Sequence, residues 1–390
     1  MKRSLILLTA GAFPVMLLSC PPEAASGRRG REVEPPVAPP QEAQAPPPEL
    51  EVLFPTSPPW EVGALPDGLA SHSDQGCAAC HQAAHRGWAA SAHAGASPAF
   101  REAAKQAGTP ACLACHLPLI EQHPHLVAYD EGDIHRPILS PNPAWDGGLQ
   151  AEGVTCAACH LRDGKVVTSH PIEGAPHPTV WSQELGRSSA CAVCHQLTWP
   201  GAQQPFYDTY GEWERSAYAT AGVTCQSCHM SDGVDPSPVD HAMSVDPARA
   251  VTLLLRPATP GLVRGGAPLE VDLILQNTGA GHAFPTGNPW KGVRLEVRLV
   301  GPPDRKGVEA VSEEALIVDL SREVEEAPPW HLSGDTRLQA GEERAWHTAL
   351  SLAAKAPDGP WRLRATLQKT LYGAPVETPL LTREVPLEVD

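Results

Sequence analysis

The chain has 390 residues, a formal charge of -16, 43 prolines and an aromatic share of only 5%. Acidity on this scale argues against nucleic acid or anionic lipid as a partner and favours proteins with basic docking faces. So few aromatic side chains would leave a thin core for this length, unless some other apolar body contributes to it.

Residues 1–20 open with Lys2 and Arg3, run apolar from Leu5 to Leu18 and end in Leu17-Leu18-Ser19-Cys20. The run is too short to span a bilayer and reads as an export signal. Its ending looks like that of a bacterial lipoprotein signal, in which Cys20 becomes the lipidated first residue; the alternative is an ordinary cleaved signal with a chance cysteine. Loss of Lys2 and Arg3 takes the charge from -16 to -18. The expected location is a bacterial membrane, facing the periplasm or the cell surface. Pro21 stands where inner-membrane lipoproteins commonly carry aspartate, which favours the outer membrane. Residues 21–69 are rich in proline, alanine and charge, including Pro46-Pro47-Pro48, and read as an extended tether.

Between residues 70 and 245 the sequence carries C-x-x-C-H five times. The copies are Cys77-Ala-Ala-Cys80-His81, Cys112-Leu-Ala-Cys115-His116, Cys156-Ala-Ala-Cys159-His160, Cys191-Ala-Val-Cys194-His195 and Cys225-Gln-Ser-Cys228-His229. Two thiols on one turn can add to the two vinyl groups of one porphyrin, and the next residue then supplies the proximal imidazole. A single copy would also suit a zinc half-site or a thioredoxin-like redox pair. Five copies behind an export signal point instead to five covalently bound haem c groups. The motifs start 35, 44, 35 and 34 residues apart. Segments that short have no core of their own, so contacts with closely packed haems must hold this domain together.

The other axial ligand decides potential and reactivity. Met1 and Met16 leave with the signal, and Met230 directly follows His229, which leaves Met243. Most haems are therefore expected to be bis-histidine. Twelve histidines lie outside the motifs. His93, in Trp88-x-x-Ser91-x-His93, is the leading distal candidate. His177 stands between Pro176 and Pro178, which restrict the backbone. His241 lies in Asp240-His-Ala-Met243, with Asp240 able to orient it. One of His123 and His125 is a further candidate, and His72, His85, His135 and His170 are reserves. His85 follows His81 by one helical turn and reads as structural.

Residues 246–390 change texture. Leu269–Gln276, Val293–Leu299 and Trp361–Leu367 alternate with the period of half-buried strands, and Ala250–Leu255, Ala315–Leu320, Arg344–Leu352 and Leu380–Val389 are further candidates. The resulting expectation is an α+β chain: a mainly helical or irregular multihaem domain followed by an immunoglobulin-like β-sandwich. Within it, Asn277-Thr-Gly-Ala-Gly-His282-Ala-Phe-Pro-Thr-Gly287 is either a glycine-rich connection or a loop that carries His282 to a haem.

An internal repeat is superposed on the motifs. Trp88-Ala-Ala-Ser91-Ala-His93 recurs as Trp213-Glu-Arg-Ser216-Ala-Tyr218, and Gly153-Val-Thr-Cys156 as Gly222-Val-Thr-Cys225. Together with Cys228-His229-Met230 and the Gly281–Gly287 loop, these residues resemble the multihaem cytochrome c superfamily that includes hydroxylamine oxidoreductase and its tetrahaem electron-acceptor cytochromes. The resemblance covers about residues 70 to 290. It implies haems in stacked and perpendicular pairs, with one haem sometimes left open to small ligands. Tyr218 departs from it, standing where the other repeat has His93. The missing ligand must then come from elsewhere, such as His282, or that haem is open.

The leading function is electron transfer between redox partner proteins. The alternative is an oxidoreductase acting on a small nitrogen or sulfur compound at one five-coordinate haem, with Tyr218 as a proton donor. No C-x-x-C-K variant occurs and every motif keeps its histidine, so the sequence marks no catalytic haem.

Overall fold

The computed structural model describes residues 59–96, 110–130, 133–198, 202–231, 239–325, 331–376 and 379–390. The signal, Cys20 and most of the tether lie outside the described residues. No helix among those described is long and apolar enough to cross a membrane.

The part bearing the motifs is built from short helices: Asp74–Ala78, Gln82–Ala89, Pro110–His116, Gly147–Gln150, Cys156–His160, Ser189–His195, Thr209–Glu214, Ala217–Thr220 and Cys225–His229. Helices of one or two turns gain little from their own hydrogen bonds. Side chains hold their ends instead: Ser73 Oγ accepts from Gln75 N at 3.3 Å and Thr224 Oγ from Ser227 N at 3.2 Å. Each such cap contributes about 1 kcal/mol.

Short strands fill the gaps: β1 (His125–Asp130), β2 (Asp133–Pro141), β3 (Leu161–Arg162), β4 (Lys165–Thr168), β5 (Thr179–Trp181), β6 (Leu197–Thr198) and β7 (Pro205–Tyr207). β1 and β2 form an antiparallel hairpin that the histidine- and proline-rich sequence did not announce. β3 and β4 are joined by Asp163-Gly164 with φ of 46° and 76°, the positive values a tight two-residue hairpin turn requires.

The sequence reading ends the tether at residue 69, and the structure moves that boundary back. Trp60 and Val62 are buried with Leu119, Leu149 and Leu161, and Trp60 N donates to Pro118 O at 2.7 Å. An indole and a β-branched side chain flanked by prolines are enough to dock this segment. That cluster is the largest apolar core among the described residues before 246, and it gathers seven buried residues, two of them alanine.

After a 3-10 turn at Pro247–Ala250 the regular elements among the described residues are strands: β8 (Val251–Pro257), β9 (Gly261–Leu262), β10 (Leu269–Asn277), β11 (Lys291–Pro303), β12 (Glu309–Val311), β13 (Leu316–Leu320), β14 (Arg322–Val324), β15 (Leu332–Asp335), β16 (Glu343–Leu350), β17 (Trp361–Leu371), β18 (Ala374–Pro375) and β19 (Leu381–Val389). All seven segments singled out by alternation are strands. One sheet runs β16-β10-β8; the other runs β12-β11-β17-β19-β9, with β13 on β11 and β18 on β17. The inward residues of both, among them Leu273 and Leu275 from one sheet and Leu295, Leu363 and Leu367 from the other, share a single core. The chain is thus α+β, with its continuous apolar core confined to the C-terminal part.

Full burial of a leucine contributes about 1.5–3 kcal/mol, and its truncation leaves a cavity besides. Leu363→Ala, at 0% exposure between the sheets, is expected to lower the unfolding free energy by about 2–5 kcal/mol. Denaturant titration of the full chain would measure this.

Candidate haem sites

The short helices bring the five motifs side by side. Free thiols lie close together in pairs across motifs, Cys77 near Cys156, Cys115 near Cys194 and Cys191 near Cys225. The helix ends are locked in the same pairs. Glu152, just before the third motif, accepts from Ser73 Oγ at 2.6 Å and from Asp74 N at 2.9 Å at the start of the first. Ser188 Oγ, before the fourth motif, accepts from Cys225 N at 3.0 Å in the fifth. The first and third motifs thus form one unit, and the fourth and fifth another.

The internal repeat is structural as well as textual. Trp88 Nε1 donates to Val154 O at 2.7 Å and Trp213 Nε1 to Val223 O at 2.8 Å. Ser91 Oγ accepts from the nitrogens of His93 and Ala94, and Ser216 Oγ from those of Tyr218 and Ala219. The return bonds match too, Val154 N to His93 O and Val223 N to Tyr218 O, both at 3.0 Å. Gly153 and Gly222, with φ of 69° and 75°, make the same left-handed step before each Val-Thr-Cys.

Four motif histidines face a second imidazole. His81 faces His177, His195 faces His93 and His229 faces His282, each with ring centroids 6.3 Å apart, while His160 faces His241 at 6.2 Å. Rings this far apart do not touch. An imidazole nitrogen bonds a first-row metal at about 2.0 Å, and the ring centre lies about 1.1 Å behind that nitrogen, so two rings on opposite sides of one iron have centroids about 6.2 Å apart. The observed gaps have that size.

The surroundings fit the same group. Cysteine is among the most buried residue types, yet Cys80 and Cys228 are exposed here and the other eight motif cysteines are only half-buried. They line space rather than core. His177 Nδ1 is enclosed by protein and has no hydrogen-bond partner, as a nitrogen reserved for a metal would be. Burial pushes the His93, His160 and His282 imidazoles below their ordinary range and, with the neighbouring histidines, takes His195 down to about 4. Neutral rings are what ligation requires. His195 is exposed by surface area, and the lowering comes from the dense protein around its ring followed by His93, His229, His282 and His116.

Second bonds set the ring orientations. Nδ1 donates to a backbone carbonyl in His160 (Val167 O, 2.9 Å), His241 (Val239 O, 3.0 Å) and His282 (Ala283 O, 3.0 Å). The Asp163-Gly164 turn is what brings β4 and its Val167 carbonyl to His160. His116 Nδ1 lies 3.3 Å from Ala96 O. Burial, followed by the nearby Cys112 and Cys115, pushes the Tyr207 phenol up, so a largely buried tyrosine stands at the second motif.

The remaining candidates take other roles. His123 is buried with Nε2 2.6 Å from Leu117 O. His125 lies exposed in β1 opposite Pro141, and among the described residues it faces no motif histidine. The β-hairpin explains this, because strand pairing turns its ring outward. His85 is bonded to Asp74, the structural use expected of it. His72 pairs with Glu121 at 3.7 Å and His170 Nδ1 lies 3.3 Å from Ser169 Oγ.

Tyr218 is engaged with the C-terminal part of the chain. Its hydroxyl donates to Thr278 O at 2.8 Å, and its ring lies against Gly281, where an added Cβ would meet Tyr218 Cβ at 3.2 Å. The tyrosine packs on the loop that carries His282. That loop is held further by Asn277, whose side chain donates to His282 O at 2.8 Å, and by Glu212, which accepts from Ala283 N at 3.2 Å and Thr286 Oγ1 at 2.6 Å. Glu212 also pairs with Arg337 at 2.7 Å, both side chains being 5% exposed or less. Glu212 and Arg337 are 125 positions apart, and nothing in the sequence links them.

Over residues 76–137 the chain matches the family described as cytochrome c554 and c-prime. This stretch holds the first two motifs and supports a c-type cytochrome with covalently attached haem. No curated protein matches the chain. Solved structures match about a third of it. They include the CARDB domain of a Pyrococcus furiosus protein in complex with di-metal ions (13% identity, 36% of this chain, 87% of that chain, TM-score 0.21). A Bacillus subtilis sporulation control protein (14%, 36% and 49%, 0.20) and a Bordetella pertussis protein (12%, 35% and 91%, 0.17) are two more. At these TM-scores the likeness carries no argument.

Removing one partner of a buried ion pair strands the other charge, at a cost of about 3–5 kcal/mol. Glu212→Ala should destabilise the chain by that amount, and Glu212→Gln, which still accepts from Thr286, by less. Thermal unfolding of the two variants against the parent would measure it.

Proposed function

We propose that this c-type cytochrome is an exported electron-transfer lipoprotein carrying five haem c groups in one closely packed array, mostly bis-histidine. The observation that carries the reading is the set of four imidazole pairs at one common separation of 6.2–6.3 Å. A site with a protein nitrogen on each side has no coordination position left for a substrate, which suits conduction. Haem supplies a one-electron Fe(III)/Fe(II) couple when bound.

The chain's own residues do the rest. Cys77 and Cys80, Cys112 and Cys115, Cys156 and Cys159, Cys191 and Cys194, and Cys225 and Cys228 are the attachment thiols, with His81, His116, His160, His195 and His229 as proximal ligands. His177, His93, His241 and His282 are the distal partners of His81, His195, His160 and His229. Carbonyls of Val167, Val239 and Ala283 fix ring tautomer and angle, and so keep ligand geometry constant between oxidation states. We read the chain as of the hydroxylamine oxidoreductase and tetrahaem acceptor type, with the two-sheet part as an immunoglobulin-like domain whose loop completes the fifth site. Lipidation at Cys20, an outer-membrane location and redox partners with basic faces complete the proposal; the net charge of -16 supports the last.

The test is spectroscopic. In the holoprotein, His282→Ala should convert one haem from low-spin to high-spin and allow carbon monoxide to bind after reduction, with the parent silent at that site. An unchanged spectrum in the variant would remove His282 from the ligand set. A parent protein that binds carbon monoxide at one haem and turns over a small nitrogen or sulfur compound there would replace conduction with catalysis.

A further inference from the structure

The distal rings differ in what backs them: His177 Nδ1 has no partner among the described residues, and His93 is backed by sulfur. His93 Nδ1 lies 2.9 Å from the sulfur of Met243, whereas His160, His241 and His282 each donate Nδ1–H to a backbone carbonyl. A carbonyl is a strong acceptor that draws the proton away and makes the ring a better donor to iron, which favours Fe(III). A thioether is a weak acceptor and leaves the ring closer to neutral imidazole.

Met243 is held in this position by the fold. Its φ is 51°, in the left-handed region that a non-glycine residue occupies only when its surroundings impose it. Asp240 accepts from Ala242 N at 2.8 Å, and the loop lies so close to the helix Gln82–Ala89 that a Cβ on Gly87 would come 3.0 Å from Ala242 N. One clamped tetrapeptide thereby serves two sites, with His241 facing His160 and Met243 backing His93.

The site so backed is central. The fourth motif shares thiol contacts with both the second and the fifth, and His195 feels His93, His229, His282 and His116 around it. We propose that Met243 is a positioning and tuning residue that sets the haem held by His93 and His195 at a higher potential than its carbonyl-backed neighbours, so that electrons collect at the middle of the array. This rests on the ligand assignment in the proposed function.

The paired rings provide their own assignment. His93 and His195 are inclined at 62°, against 46°, 39° and 26° in the other three pairs. The pair nearest to perpendicular gives the ferric low-spin EPR signal with the largest g anisotropy. In a reductive titration of the parent holoprotein that signal should vanish before those of the two carbonyl-backed pairs, His160 with His241 and His229 with His282. Met243→Gln, which offers an amide carbonyl at the same reach, should shift its midpoint to lower potential and leave the others in place. Met243→Leu, which removes the acceptor and keeps the volume, should not lower it. Loss of that signal after those of the two carbonyl-backed pairs, no shift in Met243→Gln, or an equal fall in both variants would each overturn the proposal. So would a sulfur-to-iron charge-transfer band in the parent that disappears in Met243→Gln, since Met243 would then be a ligand itself. Absence of low-spin bis-imidazole signals altogether would instead defeat the ligand assignment, as would a His93→Ala variant that gains no high-spin haem.

Discussion

Each paired site has to hold two imidazoles apart, across a gap of 6.2–6.3 Å, in a region with almost no apolar core to brace them. Hydrophobic contact alone would not set such a separation, because it is non-directional. The motif-bearing part sets it by tying rings and helix ends to backbone atoms: Nδ1 to carbonyls, Trp88 and Trp213 to the Val154 and Val223 carbonyls, and Ser188 and Glu152 to the first amides of neighbouring motif helices. Directional bonds fix an angle and a distance where a hydrophobic contact would fix neither.

The C-terminal sheets solve a different part of the problem. Their two-sided leucine core is self-sufficient, so they offer a rigid support to a neighbour that lacks one. The loop from Asn277 to Gly287 uses that rigidity. It is held from its own side by Asn277 and Arg337 and from the other by Glu212 and Tyr218. The second copy of the repeat has Tyr218 where the first has His93, and this side chain secures the loop that brings His282 to His229. Tyrosine suits this use because its ring packs on glycine while its hydroxyl still reaches a carbonyl.

Legibility varied with the range of the interaction. The motifs and the strand segments of the C-terminal part were readable, since each depends on spacing of a few residues. His177 and His241 were nominated by local context, a proline cage and a preceding aspartate, but their partners were not. His125 was nominated on similar grounds, and strand pairing with Pro141 set it facing outward. Trp60 and Val62 were assigned to a tether because proline surrounds them, although two large apolar side chains suffice to dock a segment. Met243 was weighed only as an iron ligand, and its sulfur lies 2.9 Å from His93 Nδ1.

The sequence alone determined the attachment chemistry and the strand alternation, because covalent geometry and the pleat impose short, fixed periods on the chain. Tertiary structure alone decided which imidazole faces which, that the first motif pairs with the third and the fourth with the fifth, and that Glu212 and Arg337 meet. Those choices depend on bringing residues tens to over a hundred positions apart to within a few ångströms, and no local pattern encodes a partner at that range.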